Sequence, residues 1–406
     1  DTGSPTATER SPTATSSSDQ AAARTAAVEA LLAERSQAVL AQDGTAWQAL
    51  VDPSATAFAE AQATLIDRLA AVPFAEWAYE VVGDGPPLTT ERAQTLPAGS
   101  AIIRVRLTYR IEGTETRTNR EQYLTVVPRD GDWLLAGDAD AGPSGVDTQR
   151  DLWDLGPVRV VRGERSTVIA DRRGASQQRG ERLAREADSA VENVDEVWRS
   201  DWSRRPIIVL PRSQQDMATL IGDDGDGLAQ IAAVTTGVFE RGIARGDRVV
   251  VNPDAFDTLG ALGRTVVLTH EMTHVATRAT SVVGPPIWLS EGFADYVAYE
   301  ATPVPTAIVA SDVLGDVRDG EGPRRLPEQA DFDAGEGDIA AAYEGAWLAC
   351  KMIAERYGEK ALLRLYLEMS DDSGEGWPEE TSAVLGITAK ELTRDWRAYL
   401  RDLAAA

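Results

Sequence analysis

His270-Glu271-Met272-Thr273-His274 contains both histidines of the 406-residue chain. On a helix, residues four apart project from the same face about one turn apart, so the two imidazoles are predicted to lie side by side. Two imidazoles in that arrangement can bind one Zn²⁺, and the glutamate beside them can reach a water that the zinc has acidified. Residues 258–278 contain no proline, which favours one helix across the whole motif. The stretch therefore predicts a zinc helix with Glu271 as general base.

A catalytic zinc site takes three protein ligands and leaves one position open, so a third ligand must come from elsewhere. Because no other histidine exists, that ligand must be a carboxylate or the single cysteine, Cys350. Glu291 is the best candidate, since it lies in the stretch 288–296, WLSEGFADY, which favours a second helix entered through a pair of prolines. Asp295 follows one turn later on the same face, where it can accept the free ring N–H of His270 or His274.

HEMTH followed by WLSEGFADY resembles the gluzincin zinc metallopeptidases, in the branch called peptidase MA-like. Their pattern is HExxH and then a glutamate on the next helix, inside a WxxEGxAxY run. The resemblance implies that His270, His274 and Glu291 bind one Zn²⁺ per chain and that Glu271 is the general base. It also implies that Asp295 matches the aspartate beside the zinc ligands of thermolysin-like members.

The run Tyr343-Glu344-Gly345-Ala346-Trp347 resembles the one that opens a helix in aminopeptidase-like gluzincins. The resemblance implies that Tyr343 stabilises the oxyanion of the tetrahedral intermediate. The alternative is an ordinary packing tyrosine, because aromatic residues at helix starts usually belong to a core. The resemblance covers residues 156–403, but the GxMEN motif of aminopeptidases is absent, so it does not extend to aminopeptidase specificity.

By the same resemblance, a sheet borders the substrate cleft and its edge strand pairs with an extended peptide. Residues 232–238 are the candidate for that strand. No individual substrate-binding side chain is assigned from the sequence.

The composition argues against several classes of partner. With 65 acidic and 40 basic residues, the net charge is −25, which disfavours nucleic acid and anionic membrane surfaces. The chain contains no run of about 18 apolar residues, so no transmembrane segment is expected. Cys350 has no partner for an internal disulfide and lies in an apolar helical stretch, which is typical of a buried, inert thiol.

Residues 1–19 are rich in Ser, Thr and Pro and are predicted to form a disordered tether. Such tethers often follow the lipidated cysteine of a bacterial surface lipoprotein. We therefore expect an extracytoplasmic protein, either secreted or held at the cell surface by a lipid anchor upstream of residue 1.

The rest of the chain is predicted to form two domains of the α+β class. In residues 20–140, helices precede an antiparallel sheet, an order that resembles the cone-shaped nuclear transport factor 2-like superfamily. Residues 141–156 contain a Gly-Pro-Ser-Gly run and are predicted to be a linker. Residues 157–406 are predicted to be a thermolysin-like gluzincin domain with a mixed sheet, zinc helices and a C-terminal helical lobe. Within it, residues 314–337 lack a clear period and are predicted to be a surface loop.

The function expected from the resemblance is zinc-dependent hydrolysis of peptide bonds in a peptide or protein substrate. One alternative is a catalytically idle, zinc-stabilised scaffold that binds partners at the cell envelope. The presence of Glu271 argues against it, because an idle site has no need of a general base. A zinc hydrolase acting on a non-peptide bond fits the same residues. The substrate, endo- or exopeptidase action and oligomeric state do not follow from the sequence.

Overall fold

A computed structural model describes residues 17–223, 225, 227–240, 243–279, 284–300, 302–333, 339–370 and 377–406. It confirms the predicted α+β class, with helices accompanying one sheet of four strands and one mixed sheet of five in these residues. The predicted tether lies outside them except at its end, because the first helix already begins at Ser17. None of the described helices combines the length and the apolar composition that crossing a bilayer requires.

The first part of the chain forms helices that are followed by a sheet. Its elements are α1 (Ser17–Ala41), α2 (Gly44–Ala49), α3 (Thr56–Leu69), β1 (Phe74–Asp84), α4 (Thr90–Gln94), β2 (Ala101–Ile111), β3 (Thr118–Arg129) and β4 (Asp132–Gly137). The strands lie in the order β1-β2-β3-β4, and β3 runs antiparallel to β4. Along β2, buried residues such as Ile103, Val105 and Leu107 alternate with more exposed ones, as the period of two in the sequence predicts. Ile103 and Val105 share a core with Val28 and Leu32 of α1.

The chain divides into two compact units, and each unit consists of several separate segments of the chain. Unit 1 comprises Asp1–Ile66, Trp77–Leu107 and Glu121–Thr148, and unit 2 comprises Asp67–Glu76, Thr108–Arg120 and Gln149–Ala406. The two predicted domains, 20–140 and 157–406, therefore differ from the observed units. The tip of the β2–β3 hairpin belongs to unit 2 although it precedes the predicted linker.

The segment predicted as a linker, residues 141–156, contains buried structure. A short helix, α5 (Leu152–Leu155), holds Trp153 in a buried position within unit 2. The Trp153 ring packs edge-on against the rings of Phe74 and Tyr109, at centroid distances of 5.3 Å and 5.2 Å. The physical reason for the difference is that the Gly-Pro-Ser-Gly run ends just before a short apolar segment that packs into a core.

Unit 2 continues with a mixed sheet and many helices. Its further elements are β5 (Val158–Arg162), β6 (Thr167–Asp171), α6 (Gln177–Val197), β7 (Ile207–Leu210), α7 (Gln214–Ile221), β8 (Ala233–Glu240), β9 (Ile243–Val251), α8 (Pro253–Phe256), α9 (Ala261–Arg278), α10 (Ile287–Glu300), α11 (Thr306–Val309), α12 (Ser311–Asp319), α13 (Gln329–Phe332), α14 (Ile339–Tyr357), α15 (Glu359–Ser370), α16 (Trp377–Leu385) and α17 (Ala389–Ala405).

The sheet of unit 2 has the strand order β5-β6-β7-β9-β8. β6, β7 and β9 run parallel, whereas β5 and β8 are antiparallel to their neighbours. Residues 232–238, the predicted edge strand, overlap β8, which lies at one edge of the sheet. α9 packs against β8 on one side and against α6 and α10 on others, with Leu268 and Met272 fully buried.

The prediction of a surface loop over residues 314–337 is wrong for much of that stretch. The second half of α12 lies in it, with Leu314 fully buried, and so does α13. Residues 334–337 lie outside the described part of the chain. Val313, Leu314 and Val317 form a short apolar face on α12. The many glycines and acidic residues around them make this face difficult to recognise in the sequence.

Candidate metal centre

The two histidines project together from the middle of α9. Fully buried Leu268 and Met272 anchor the helix on its apolar side, while His270 and His274 lie one turn apart on another. Their Nε2 atoms are 3.1 Å apart, and both imidazoles are about seven-eighths buried, with 13% of each side chain exposed. The local helix therefore presents two nitrogen donors to one point in space.

α10 brings Glu291 to the same point. Its Oε2 lies 3.2 Å from His270 Nε2 and 3.4 Å from His274 Nε2. Donor atoms bound to one tetrahedral zinc at about 2.0–2.1 Å lie about 3.3–3.4 Å from one another, so this triangle has the size that a zinc ion needs. Cys350, the alternative third ligand, is not part of this group and is fully buried in α14, where burial raises the pKa of its thiol.

Asp295, one turn after Glu291 on α10, binds the other nitrogen of His270. Its Oδ1 lies 2.7 Å from His270 Nδ1, which resolves the choice between the two histidines that the sequence left open. A proton on Nδ1 in this bond leaves the Nε2 lone pair free to bind a metal ion. Asp295 therefore fixes both the orientation and the tautomer that a ligand histidine needs.

The charges of these groups depend strongly on one another. Burial acts to lower the pKa of His270, but Asp295 and Glu291 outweigh it and hold that pKa well above its usual value. Burial acts to raise the pKa of Glu291, but the two neighbouring histidines hold it well below its usual range. When both imidazoles are neutral, no positive charge compensates the negative charges of Glu291 and Asp295. The site therefore attracts a cation.

Glu271 is buried and is held by a residue of the edge strand β8. Thr235 Oγ1 lies 2.7 Å from Glu271 Oε2 and 3.0 Å from the Glu271 carbonyl oxygen, so its hydroxyl can donate to either. Burial raises the pKa of the Glu271 carboxyl, and His270, His274 and Thr235 offset part of the increase. A carboxyl with a raised pKa is suited to accept and return a proton.

Tyr343 lies beside the histidines, at the beginning of α14. Its ring centroid is 6.2 Å from that of His270 and 5.0 Å from that of Phe332, which it meets edge-on. Its hydroxyl makes no hydrogen bond with the residues that the structure describes. Burial and then Glu291 and Asp295 raise its pKa, so it remains a phenol, a hydrogen-bond donor, at neutral pH. The geometry brings Tyr343 to the cluster, while its contact with Phe332 also gives it a packing role.

Glycine at position 292 is required by the way in which α10 meets α14. A Cβ atom at Gly292 would lie 2.3 Å from the Ala346 carbonyl oxygen and 3.0 Å from Cys350 Sγ. Only glycine allows this approach of the two helices, and the approach sets Glu291 and Tyr343 on either side of the same cluster. The glycine of WLSEGFADY thus has a packing reason that is independent of metal chemistry.

Thr235 is the site residue that the sequence did not indicate. It is 36 residues before Glu271 in the chain, and no motif surrounds it. A second contact of this kind joins Arg278, at the end of α9, to Asp247 of β9, with Nε 3.1 Å from Oδ2. Both contacts arise from the pairing of the sheet with α9, which local sequence patterns do not specify.

A scan against protein-family models found no match to the chain, and a search of curated proteins found none either. A functional assignment therefore rests on the chemistry of the cluster and on the motif resemblance.

Proposed function

We propose that the protein is a zinc-dependent peptidase of the gluzincin type, which hydrolyses peptide bonds with Glu271 as general base. The observation that carries the proposal is the triangle of His270 Nε2, His274 Nε2 and Glu291 Oε2, with sides of 3.1–3.4 Å. A buried carboxyl with a raised pKa, that of Glu271, lies directly beside it on α9. Three ligands of the zinc type next to a proton acceptor are what metal-assisted hydrolysis requires.

The residues present fit zinc as the resident ion. Two imidazole nitrogens and one carboxylate oxygen form a donor set that suits zinc, and their separations match its tetrahedral geometry. When bound there, zinc supplies Lewis acidity, which makes water nucleophilic near neutral pH and polarises a carbonyl group. One Zn²⁺ per chain, held by His270, His274 and Glu291, is therefore part of the proposal.

Glu271 performs the proton transfers. Its carboxylate accepts the proton of the attacking water and then delivers it to the nitrogen of the departing amine. Thr235 holds the carboxylate in one orientation through its 2.7 Å hydrogen bond, so less freedom is lost when the substrate binds.

Tyr343 and Asp295 act on either side of His270. The Tyr343 hydroxyl, which remains protonated and has no partner among the described residues, donates a hydrogen bond to the oxyanion that forms from the scissile carbonyl. Asp295 keeps the His270 ring in place through the 2.7 Å contact at Nδ1. Asp295 is thus a positioning residue, whereas Glu271 and Tyr343 meet the reacting atoms.

The substrate backbone is proposed to pair with the edge strand β8. One side of β8 pairs with β9, so the other side is the natural place for an added strand. Thr235 is the third residue of β8 and contacts Glu271, so a peptide on this edge would pass close to the general base. Residues 232–238 are therefore part of the proposal as the strand that binds the substrate backbone.

The test compares wild type with Glu271→Gln on a diverse peptide library, with both proteins loaded with zinc. Loss of the proton acceptor should lower turnover by about 10²–10⁴-fold and leave the zinc content unchanged. Glu300→Gln, at the exposed end of α10, is the matched control and should cleave like wild type.

Cleavage that persists at the wild-type rate in Glu271→Gln would remove Glu271 from the mechanism. Absence of cleavage in every zinc-loaded protein would reject peptide hydrolysis on such substrates. That result would favour the idle scaffold or hydrolysis of a non-peptide bond.

A further inference from the structure

A second pocket adjoins the metal centre between α10, α11 and α14. It has a volume of about 170 Å³, room for roughly six water molecules at about 30 Å³ each. The described residues that line it are Asp295, Tyr299, Val309, Ala340, Tyr343, Glu344 and Trp347.

This pocket lies directly beside the metal centre. It shares Asp295 and Tyr343 with that centre, and Glu291, Asp295 and Tyr299 follow one another at intervals of one turn along α10. A substrate whose scissile carbonyl reaches the Tyr343 hydroxyl would therefore have a neighbouring side chain within reach of the pocket.

The polar groups of the pocket are acidic. Asp295 is 9% exposed, and its Oδ1 binds His270. Glu344 is the second carboxylate, whose Oε2 accepts the backbone N–H groups of Asp312 and Val313. No lysine or arginine occurs among the described lining residues. With two carboxylates and no lysine or arginine among its described lining residues, the pocket has a negative potential that a cationic ligand would offset.

The walls of the pocket suit a long cationic side chain. Tyr299 and Trp347 pack together with ring centroids 5.0 Å apart, and Tyr343 adds a third ring. Aromatic faces attract ammonium and guanidinium groups, and they also pack against methylene groups. Val309 and Ala340 complete an apolar passage toward the carboxylates. The net charge of −25 further favours the approach of cationic peptides.

We propose that this pocket is a substrate subsite that accepts a lysine or arginine side chain adjacent to the scissile bond. The proposal rests on the proposed peptidase function for its position next to a bond, but the affinity of the pocket for a cation does not depend on turnover. Peptides with a basic residue at this position are then the preferred substrates, and peptides with an acidic residue there are rejected.

The test measures binding in zinc-loaded Glu271→Gln, which removes turnover from the readout. The probes are blocked alanine pentapeptides whose central residue is lysine, norleucine or glutamate. Norleucine matches the methylene chain of lysine but lacks its charge. The lysine peptide should bind about tenfold more tightly than the norleucine peptide, and the glutamate peptide more weakly than either.

Two variants made in the same background locate the preference. Val309→Arg places a fixed cation in the pocket wall and should abolish the preference for lysine over norleucine. Ile308→Arg is the matched control, because it adds the same charge one residue away on a side chain that is 65% exposed. It should retain the preference.

Equal dissociation constants for the lysine and norleucine peptides, or no measurable binding of the lysine peptide, would overturn the subsite. A preference that survives in Val309→Arg would place the cation elsewhere and also overturn it. Library cleavage by the wild type separates the two proposals. Cleavage without a basic preference rejects the pocket and leaves the peptidase intact, whereas a lysine preference in binding without any cleavage supports the pocket and rejects the peptidase.

Discussion

At the scale of single residues, the contact between Thr235 and Glu271 links the sheet edge to the proposed general base. The Thr235 hydroxyl lies 2.7 Å from Glu271 Oε2 and 3.0 Å from the Glu271 main-chain oxygen. It has one proton, and by donating this proton to Oε2 it can hold the carboxylate in one orientation. A base held in one orientation needs no rearrangement when the substrate arrives. In the proposed mechanism, Thr235 therefore supports turnover without touching the reacting atoms.

Replacement of Thr235 separates this positioning role from simple packing. Thr235→Val keeps the shape but removes the hydroxyl, and we expect kcat to fall about tenfold while KM and zinc content change little. Thr235→Ser restores a hydroxyl and should restore most of the rate. Steady-state kinetics on a cleaved library peptide measures both. Equal rates for the valine and serine variants would show that the hydroxyl does not position Glu271.

The residues of the candidate metal cluster could be grouped from the sequence because their spacing is local. His270, Glu271 and His274 lie within two turns of one helix, and Glu291 and Asp295 lie within the next helix, so period and motif suffice to group them. Thr235 could not be predicted, because its position opposite Glu271 depends on the register of β8 and on the packing of α9 beneath it. Neither is visible in any short stretch of sequence.

At the scale of secondary-structure elements, the α10–α14 contact fixes the distance between Glu291 and Tyr343. Gly292 permits the contact, because any Cβ would meet the Ala346 carbonyl oxygen at 2.3 Å. A backbone oxygen cannot move aside as a flexible side chain can, so a larger residue must separate the helices.

Gly292→Ala should destabilise the fold by about 1–3 kcal/mol and also weaken zinc binding, because α10 carries Glu291. Gly315→Ala is the matched control, since Gly315 lies in α12 and an added Cβ would meet nothing within 4 Å. The control should be as stable as wild type or more stable by about 0.5–1 kcal/mol. Denaturant unfolding and zinc titration measure the two effects. A Gly292→Ala protein with wild-type stability would contradict the close approach.

Elements with a clear period could be predicted well, and those with an interrupted period could not. Apolar residues at helical spacing, from Leu183 to Val197, mark the buried face of α6 in the sequence. β5 and α16 are harder to predict, because β5 has only five residues and α16 follows a glycine- and acid-rich stretch. The likeness of the first domain to the nuclear transport factor 2-like superfamily stays a prediction.

At the scale of the whole molecule, one buried carboxylate ties together separate parts of the chain within unit 2. Asp151 accepts hydrogen bonds from Tyr109, Arg120 and Arg248, which belong to β2, β3 and β9. Burial acts to raise the pKa of Asp151, but Arg120 and Arg248 outweigh it and hold the pKa below its usual value. A protein without residues 1–145 would lack two of these partners, Tyr109 and Arg120. Experiments are therefore best made on the whole chain.

Asp151→Asn should cost about 3–5 kcal/mol at pH 7, because it leaves two buried guanidinium groups without their carboxylate. The pKa of Asp151 is lower in the folded protein than in the unfolded chain, so its contribution is complete above about pH 4–5 and is lost as the pH falls through the folded value. The difference in unfolding free energy between wild type and variant should therefore shrink in acid.

Asp84→Asn is the control, since the Asp84 side chain is 67% exposed in its pair with Arg24 and the pair should contribute at most about 1 kcal/mol. Urea unfolding at several pH values measures the three proteins. A difference for Asp151→Asn that stays constant on acidification, or that is no larger than that of the control, would contradict the assignment.

Native mass spectrometry combined with zinc X-ray absorption shows whether His270, His274 and Glu291 hold one zinc ion. We expect one zinc per chain, with two imidazole nitrogens and a carboxylate oxygen at about 2.0–2.1 Å. We also expect loss of this zinc in His270→Ala and its retention in Cys350→Ala. A protein that retains no zinc, or whose zinc persists in His270→Ala, would contradict this assignment of the ligands.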